Sequence, residues 1–387
     1  MDDGPKPLDA PRSSALSILA RLEAGGFAGW DPYDGLSARR VPESLLRTAR
    51  GRQALTQLAK RSSGPMRRFL DIPDGVSAYT LGHVLSAYAR LHEQGLLADA
   101  QQRAASVVAQ LESMVLPGWS GACWGYHFDV QTRFFFYDKR TPNAIVTAFV
   151  AKGLAEATES GLIDGRSLLR GVGEFILHDL PRVVGDAGQC FGYIPSSDTV
   201  VHNANALSAM TLARVSEVGG SDVLHEAVQA ARFVVKHQRT DGAWAYSEQS
   251  DGRWIDGFHT GFVLEGLGYV AAASGDRGIR ESVSLGLDFY VASLFDVHGR
   301  PRYFDTKALP YDALSAAQGI ETLSVLEDGR VRFGELRDEL VGWTLATLVS
   351  GDGSVAYRRW ERHTDWRQYP RWSLGPMCSA LSGAGGC

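Results

Sequence analysis

Cysteine is scarce in this chain. The four present, Cys123, Cys190, Cys378 and Cys387, include no Cys-x-x-Cys pair, so a disulfide framework is excluded in a chain of 387 residues. No apolar run approaches the roughly 20 residues needed to cross a bilayer. Basic residues are in slight deficit, 39 Lys and Arg against 44 Asp and Glu, which leaves neither a stripe for nucleic acid nor a polybasic membrane segment. No Gly-x-Gly-x-x-Gly follows a strand pattern and no P-loop is present, so no nucleotide cofactor is expected. Paired aspartates occur only at Asp2-Asp3, which removes the Asp-rich runs that hold magnesium and diphosphate. No metal is expected either. The start, MDDGPKPLDAPRSS, lacks a positive n-region and an apolar h-region. It reads as a disordered lead-in, residues 1–14, to a cytoplasmic protein whose single domain is 15–387. The remaining bulk properties, 44% hydrophobic residues and a mean hydropathy of −0.13, are those of an ordinary globular protein.

What is present is a repeat. Six loops run from a glycine to a tyrosine a few residues on, and the tyrosines are Tyr33, Tyr126, Tyr193, Tyr246, Tyr303 and Tyr357. Their spacings are 93, 67, 53, 57 and 54 residues. A near-constant period marks a repeated supersecondary unit. The stretch VLHEAVQAARFVVKHQ at 223–238 has apolar residues at three- and four-residue steps, an amphipathic helix. The same pattern predicts outer helices near 98–115, 166–180, 279–294 and 334–349. A second set, near 77–92, 143–157, 203–217, 260–273, 312–327 and 373–382, is rich in Ala, Gly, Ser and Leu and reads as buried inner helices. The expected fold is all-α, an (α/α)6 toroid of six hairpins, with the long loops meeting at one mouth. Arg133–Tyr137 is the best strand candidate, paired with Trp124–Phe128. The repeat tyrosines are expected to pin one hairpin to the next. Cys123 and Cys190, equivalent in two repeat loops, read as small buried residues.

The segment Ala231–Trp244, with Gln238 closing a helix and Gly242-Ala-Trp244 following, resembles the QW motif of squalene and oxidosqualene cyclases. That resemblance implies the toroid. It does not carry the cyclases' chemistry, since their Asp-rich runs are missing. The stretches Trp254–Glu265 and Phe304–Gln318 are similar to uncharacterised toroid proteins found with polysaccharide biosynthesis genes. This second resemblance implies work on carbohydrate in a bacterial biosynthetic setting.

Each inner helix begins with polar or aromatic residues that a ring would gather at its mouth. His259 or His202 can serve as a general base near neutral pH, with Tyr311 as the acid. Asp256 and Asp312, or Asp305, can instead form the acid–base pair of a glycoside hydrolase. Arg367 or Arg371 can hold a carboxylate bidentately. Trp254, Trp372 and Tyr126 can stack on a sugar ring, while Asn143 and Asn203 bond its hydroxyls. Capping is the competing role for Asn143, Asn203 and Asp312, and Asp305 can simply pair with Lys307. The reading that combines these is a carbohydrate-modifying enzyme, an epimerase, isomerase or lyase moving a proton on a sugar or uronic acid, with a small-molecule or oligosaccharide substrate. A two-Asp hydrolase, a cyclase with a non-standard acid and a non-catalytic glycan-binding ring are the alternatives.

Overall fold

The computed structural model describes residues 9–132, 136–326 and 331–384. Its helices, in chain order, are α1 (Ala10–Ala24), α2 (Glu43–Leu46), α3 (Ala49–Arg61), α4 (Gly64–Phe69), α5 (Ala78–Glu93), α6 (Ala100–Ser113), α7 (Ala144–Glu159), α8 (Arg166–His178), α9 (His202–Glu217), α10 (Leu224–Lys236), α11 (Gly257–Ser274), α12 (Arg277–Ser293), α13 (Ala313–Val325), α14 (Val331–Thr347) and α15 (Gly375–Gly383). The inner ring is α5, α7, α9, α11, α13 and α15. Each packs on the next, and α15 packs on α5, so the ring is closed. The outer helices α6, α8, α10, α12 and α14 lie behind it. The sixth outer member is α1, packed on α15.

That last contact corrects the expected lead-in. The chain is helical from Ala10, and the Asp9 side chain caps the helix by accepting from the Arg12 amide at 3.1 Å. Residues 1–8 lie outside the described residues. Strands are short: β1 (Ala28–Gly29) pairs with β2 (Gly75–Val76), β3 (Val130–Gln131) with β4 (Phe136–Tyr137), and β5 (Arg182–Gly185) with β6 (Gly188–Phe191). A three-stranded patch joins β7 (Tyr311–Asp312), β8 (Arg358–Arg359) and β9 (Thr364–Asp365). The expected hairpin therefore exists in part. Phe136 and Tyr137 pair with Gln131 and Val130 rather than with Trp124–Phe128, and residues 133–135 lie outside the described residues.

The repeats are tied together through their tyrosines. The carbonyls of Tyr193, Tyr246, Tyr303 and Tyr357 accept hydrogen bonds from the first amides of α7, α9, α11 and α13, at 2.9, 3.2, 3.3 and 3.1 Å. Those amides belong to the first helical turn, which has no partner inside its own helix. Each loop thus completes the helix start of the repeat before it. The QW-like residues form a second tie. The Gln238 amide donates to the carbonyls of Gly242 (3.0 Å) and Ser282 (2.9 Å), joining the end of α10 to α12. The Trp244 indole donates to the Val234 carbonyl at 3.0 Å, and the Trp124 indole does the same to Leu111 at 2.8 Å.

The inner helices approach closely because their facing residues are small. A Cβ on Gly82 would stand 2.3 Å from the Phe149 carbonyl oxygen, and one on Gly153 2.2 Å from that of Gly82. Beneath the mouth the axis is filled by a buried ion network drawn from all six inner helices. The Lys152 ammonium bridges Glu265 (2.5 Å) and Glu321 (2.6 Å). Arg90 joins Glu321 (2.5 Å), Glu156 (3.2 Å) and the Ser379 carbonyl (3.0 Å), and Arg214 joins Glu159 (2.9 Å). Burial pushes the Glu321 pKa up, but Arg90 and Lys152 outweigh it and hold the carboxyl well below its ordinary range. A depressed native pKa means that this contribution is present above the unfolded value, about 4.3, and is lost as pH falls through the native one.

Two substitutions test this packing by urea unfolding. Gly82→Ala forces a methyl into the Phe149 carbonyl and is expected to cost about 1–3 kcal/mol. Lys152→Met leaves the buried Glu265 carboxylate without its cation and Glu321 with Arg90 alone, and is expected to cost about 3–5 kcal/mol.

Candidate functional site

The long loops surround a cavity of about 780 Å3 at the mouth of the ring. That falls within the range of small-ligand clefts, about 300–1,000 Å3. Its construction is regular. The second residue of each of five inner helices lines it: Tyr79, Ile145, Asn203, Phe258 and Leu314. The turn leading into α15 supplies Arg371 and Trp372 in the same way. Five of the six repeat tyrosines, Tyr33, Tyr126, Tyr193, Tyr246 and Tyr303, also line the wall. Their expected role as pins holds for the backbone of three of these, and their rings do something else. The sixth, Tyr357, is buried against Trp372 and Tyr369.

His259, on the third residue of α11, faces this cavity beside Asp256. Asp256 is the N-cap of α11, accepting from the His259 amide at 2.9 Å through Oδ1. Its Oδ2 meets His259 Nδ1 at 2.7 Å and accepts from the Trp254 indole at 3.0 Å. With the neutral imidazole donating from Nδ1 to the carboxylate, Nε2 carries the lone pair. The Tyr246 ring lies 4.6 Å from both the Trp254 and the His259 rings, stacked on the former.

Arg371 is buried and bound bidentately by Asp31, Nε to Oδ2 at 2.5 Å and Nη2 to Oδ1 at 2.9 Å. Its Nη1 makes no hydrogen bond among the described residues, and the guanidinium lies 4.9 Å over the Tyr126 ring. Burial lowers the Arg371 pKa, but the Asp31 carboxylate more than offsets this and raises it. Burial also raises the phenols of Tyr79, Tyr126, Tyr193, Tyr246 and Tyr303 above the ordinary tyrosine value, in each case as the leading cause. The bowl is therefore lined with neutral hydroxyls.

Of the expected site residues, Tyr126, Asn203, Trp254, Asp256, His259, Arg371 and Trp372 meet in this cavity. The others do not line it. His202 is the first residue of α9; its ring turns against His237 at the end of α10, and Nε2 bonds Glu248 at 2.6 Å. Tyr311 lies against Trp343 (5.2 Å), because successive residues of β7 face opposite ways and Asp312 takes the inward one. Asp312 is fully buried and saturated: it caps the Leu314 amide (3.0 Å), accepts from the Trp372 indole (2.9 Å) and pairs with Arg358 Nε (2.7 Å). It serves the wall from behind. Asn143 caps α7 through the Val146 amide at 2.9 Å. Arg367 pairs with Asp365 and bonds the carbonyls of Lys60 (3.0 Å) and Ser62 (2.8 Å), tying down the end of α3. Asp305 is half-buried outside the wall, and no ion pair joins it to Lys307, which does line the cavity. Cys123 and Cys190 are buried, and burial pushes both thiols up to about 12.

Several residues that line the cavity or support its wall escaped the sequence reading. Asp31 stands in the first repeat loop beside Tyr33, and Arg358 directly follows Tyr357, so proximity to the repeat was their signal. Gln53, Thr56, Gln57 and Lys60 come from α3, inside the long first spacing, where no repeat pattern points to them.

The architecture is that of the (α/α)6 toroids. Solved structures that share it include a glycoside hydrolase family 76 α-mannanase from Bacteroides thetaiotaomicron (12% identity, 80% of this chain and 86% of that one, TM-score 0.63). A cellobiose 2-epimerase from Bacillus thermoamylovorans matches at 8% identity over 81% and 90%, TM-score 0.63. A possible member of glycoside hydrolase family 105 from Salmonella enterica matches at 12% identity over 99% and 95%, TM-score 0.62. No family model matches the chain, and no curated protein is similar to it in sequence.

Spectrophotometric titration at 295 nm tests the electrostatics of the bowl. Tyr79, Tyr126, Tyr193, Tyr246 and Tyr303 are expected to ionise only above the ordinary value of about 10, so that at this pH the unionised fraction is larger in the folded protein than in denaturant.

Proposed function

We propose that the protein is a carbohydrate-modifying enzyme that moves a proton on a sugar, an isomerase working by acid–base catalysis. The observation that carries this is the His259–Asp256 dyad, an oriented imidazole beside neutral phenols and a cationic guanidinium. On an open-chain sugar, His259 Nε2 removes the proton from the carbon beside the carbonyl. Charge develops on the carbonyl oxygen, and Arg371 Nη1 is a donor available to it. The bond pair left behind forms the enediolate double bond. Among the described residues His259 is the one imidazole lining the wall, so the same ring returns the proton to the neighbouring carbon. The hydroxyl on the carbon that lost its proton passes its own proton to the former carbonyl oxygen and becomes the new carbonyl, so atoms balance and the product is the ketose of an aldose or the reverse. Reprotonation of the original carbon on its other face, as an epimerase requires, calls for a second proton donor, and the neutral phenols of Tyr126 and Tyr193, 3.3 Å apart, are the groups available for it.

The hydrolase reading fares less well. Asp256 is the one carboxylate lining the cavity among the described residues, and its oxygens are engaged by His259 and Trp254. The two-carboxylate arrangement needs a partner for it. A cyclase acting on an apolar chain is disfavoured by Arg358, Arg371, Lys60 and Lys307 in the wall. The named activities of the mannanase and the epimerase sharing the fold agree with a sugar as substrate.

The test is incubation with a panel of aldoses and ketoses in deuterium oxide, followed by NMR. The expected outcome is deuterium entering beside the carbonyl, with His259→Asn slower by about 10²–10⁴-fold. Release of reducing ends from an oligosaccharide, or full exchange by His259→Asn, overturns the reading.

A further inference from the structure

We infer that the substrate carries an anionic group, a carboxylate or a phosphate, and that Lys60, Lys307 and Arg358 form the subsite that receives it; this rests on the proton-transfer reading above. The chain as a whole has a net charge of −5, yet the cavity wall carries four cations, Lys60, Lys307, Arg358 and Arg371, and the single carboxylate of Asp256. Asp31 and Asp312, from behind the wall, pair with Arg371 and Arg358. No carboxylate pairs with Lys60 or Lys307 among the described residues. The excess positive charge is thus aimed at the cavity, and a concave site concentrates its field.

The charged ends of Lys60 and Arg358 are held, and Lys307 is fixed through its backbone. Lys60 Nζ donates to the Tyr33 hydroxyl at 3.1 Å and sits 4.6 Å over that ring. Its own carbonyl is fixed by Arg367. Arg358 spends Nε on Asp312 and Nη2 on the Tyr303 hydroxyl (2.9 Å), which leaves Nη1 with no hydrogen bond among the described residues. Lys307 closes the turn that starts directly after Tyr303, exchanging backbone bonds with Phe304 at 2.9 and 3.2 Å. An aromatic line connects these supports: Tyr33 to Trp372 (5.3 Å), Trp372 to Phe258 (5.6 Å) and Phe258 to Tyr303 (6.5 Å). A neutral sugar gives these ammoniums nothing to pair with. An anionic one accepts charge-assisted bonds from both lysines and from Arg358 Nη1 while its ring rests on the aromatic faces.

Binding is measured at low ionic strength by calorimetry and by the fluorescence of Trp254 and Trp372, with D-glucuronate, D-glucose 6-phosphate and D-glucose. The expected result is that one of the two acidic sugars binds at least about tenfold more tightly than glucose. The glucuronate and phosphate arms tell which anion is taken. Added salt should erode the preference. The double variant Lys60→Gln, Lys307→Gln should lose it, and Lys60→Arg, Lys307→Arg should keep it, with thermal unfolding confirming that both fold. Equal binding of acidic and neutral sugars, or a preference unchanged in the glutamine variant, overturns this inference and leaves the proton-transfer reading standing. Failure of all three sugars to bind overturns both.

Discussion

Much of this molecule depends on one hydrogen bond made four times: the carbonyl of a repeat tyrosine accepting the first amide of the inner helix before it. A helix start has donors that its own turn cannot satisfy, and burying them unpaired is costly. Meeting that need from the next loop couples four of the hairpins to their successors. It also fixes the backbone at the tyrosine, so that for three of the four the ring projects into the bowl. One residue therefore closes the scaffold and paves the site, which explains why a tyrosine recurs where many residue types could supply a carbonyl.

The ring was legible from the tyrosine period and the contrast between Ala/Gly-rich and amphipathic helices, because both follow from local rules of helix burial. The outer role of α1 was not. Its buried residues Ala15, Ile18, Leu19 and Leu22 recur at three- and four-residue steps, but a proline stands in its first turn, and only contact with α15, more than 350 residues away in sequence, shows what it does. The site was legible in part. His202 and His259 both sit at inner-helix starts, but they occupy the first and third positions, and each step turns the side chain by about 100°. The first position of α9 looks away from the bowl and the third of α11 looks into it, and a boundary uncertain by one or two residues hides that difference. Asp312 and Asp256 share the N-cap position, and their fates divide on neighbours supplied by distant segments: Arg358 and Trp372 for one, His259 for the other.

The axial ion network and the aromatic bowl divide the interior between them. Tyr79, Phe262 and Leu314 line the cavity, and one turn deeper on the same helices come His83, Glu265 and Gln318. His83 is buried beside Lys152, and burial lowers its pKa to about 3, so it stays neutral beneath the floor. Charge in the lower layer is nearly all internally paired, whereas charge in the upper layer is partly left facing solvent space. The lower layer holds six helices in register, and the upper one is free to meet a ligand.

The pairing of α1 with α15 has a consequence for how the circle comes into being. Five hairpins are made from helices adjacent along the chain, but the sixth unites the first helix with the last. During synthesis the arc must therefore stay open until α15 emerges, with the flank of α1 and the facing side of α5 waiting for that one helix. Geometrically the seam is no different from any other junction, so a chain reconnected there and cut between two other hairpins keeps every neighbour relation intact.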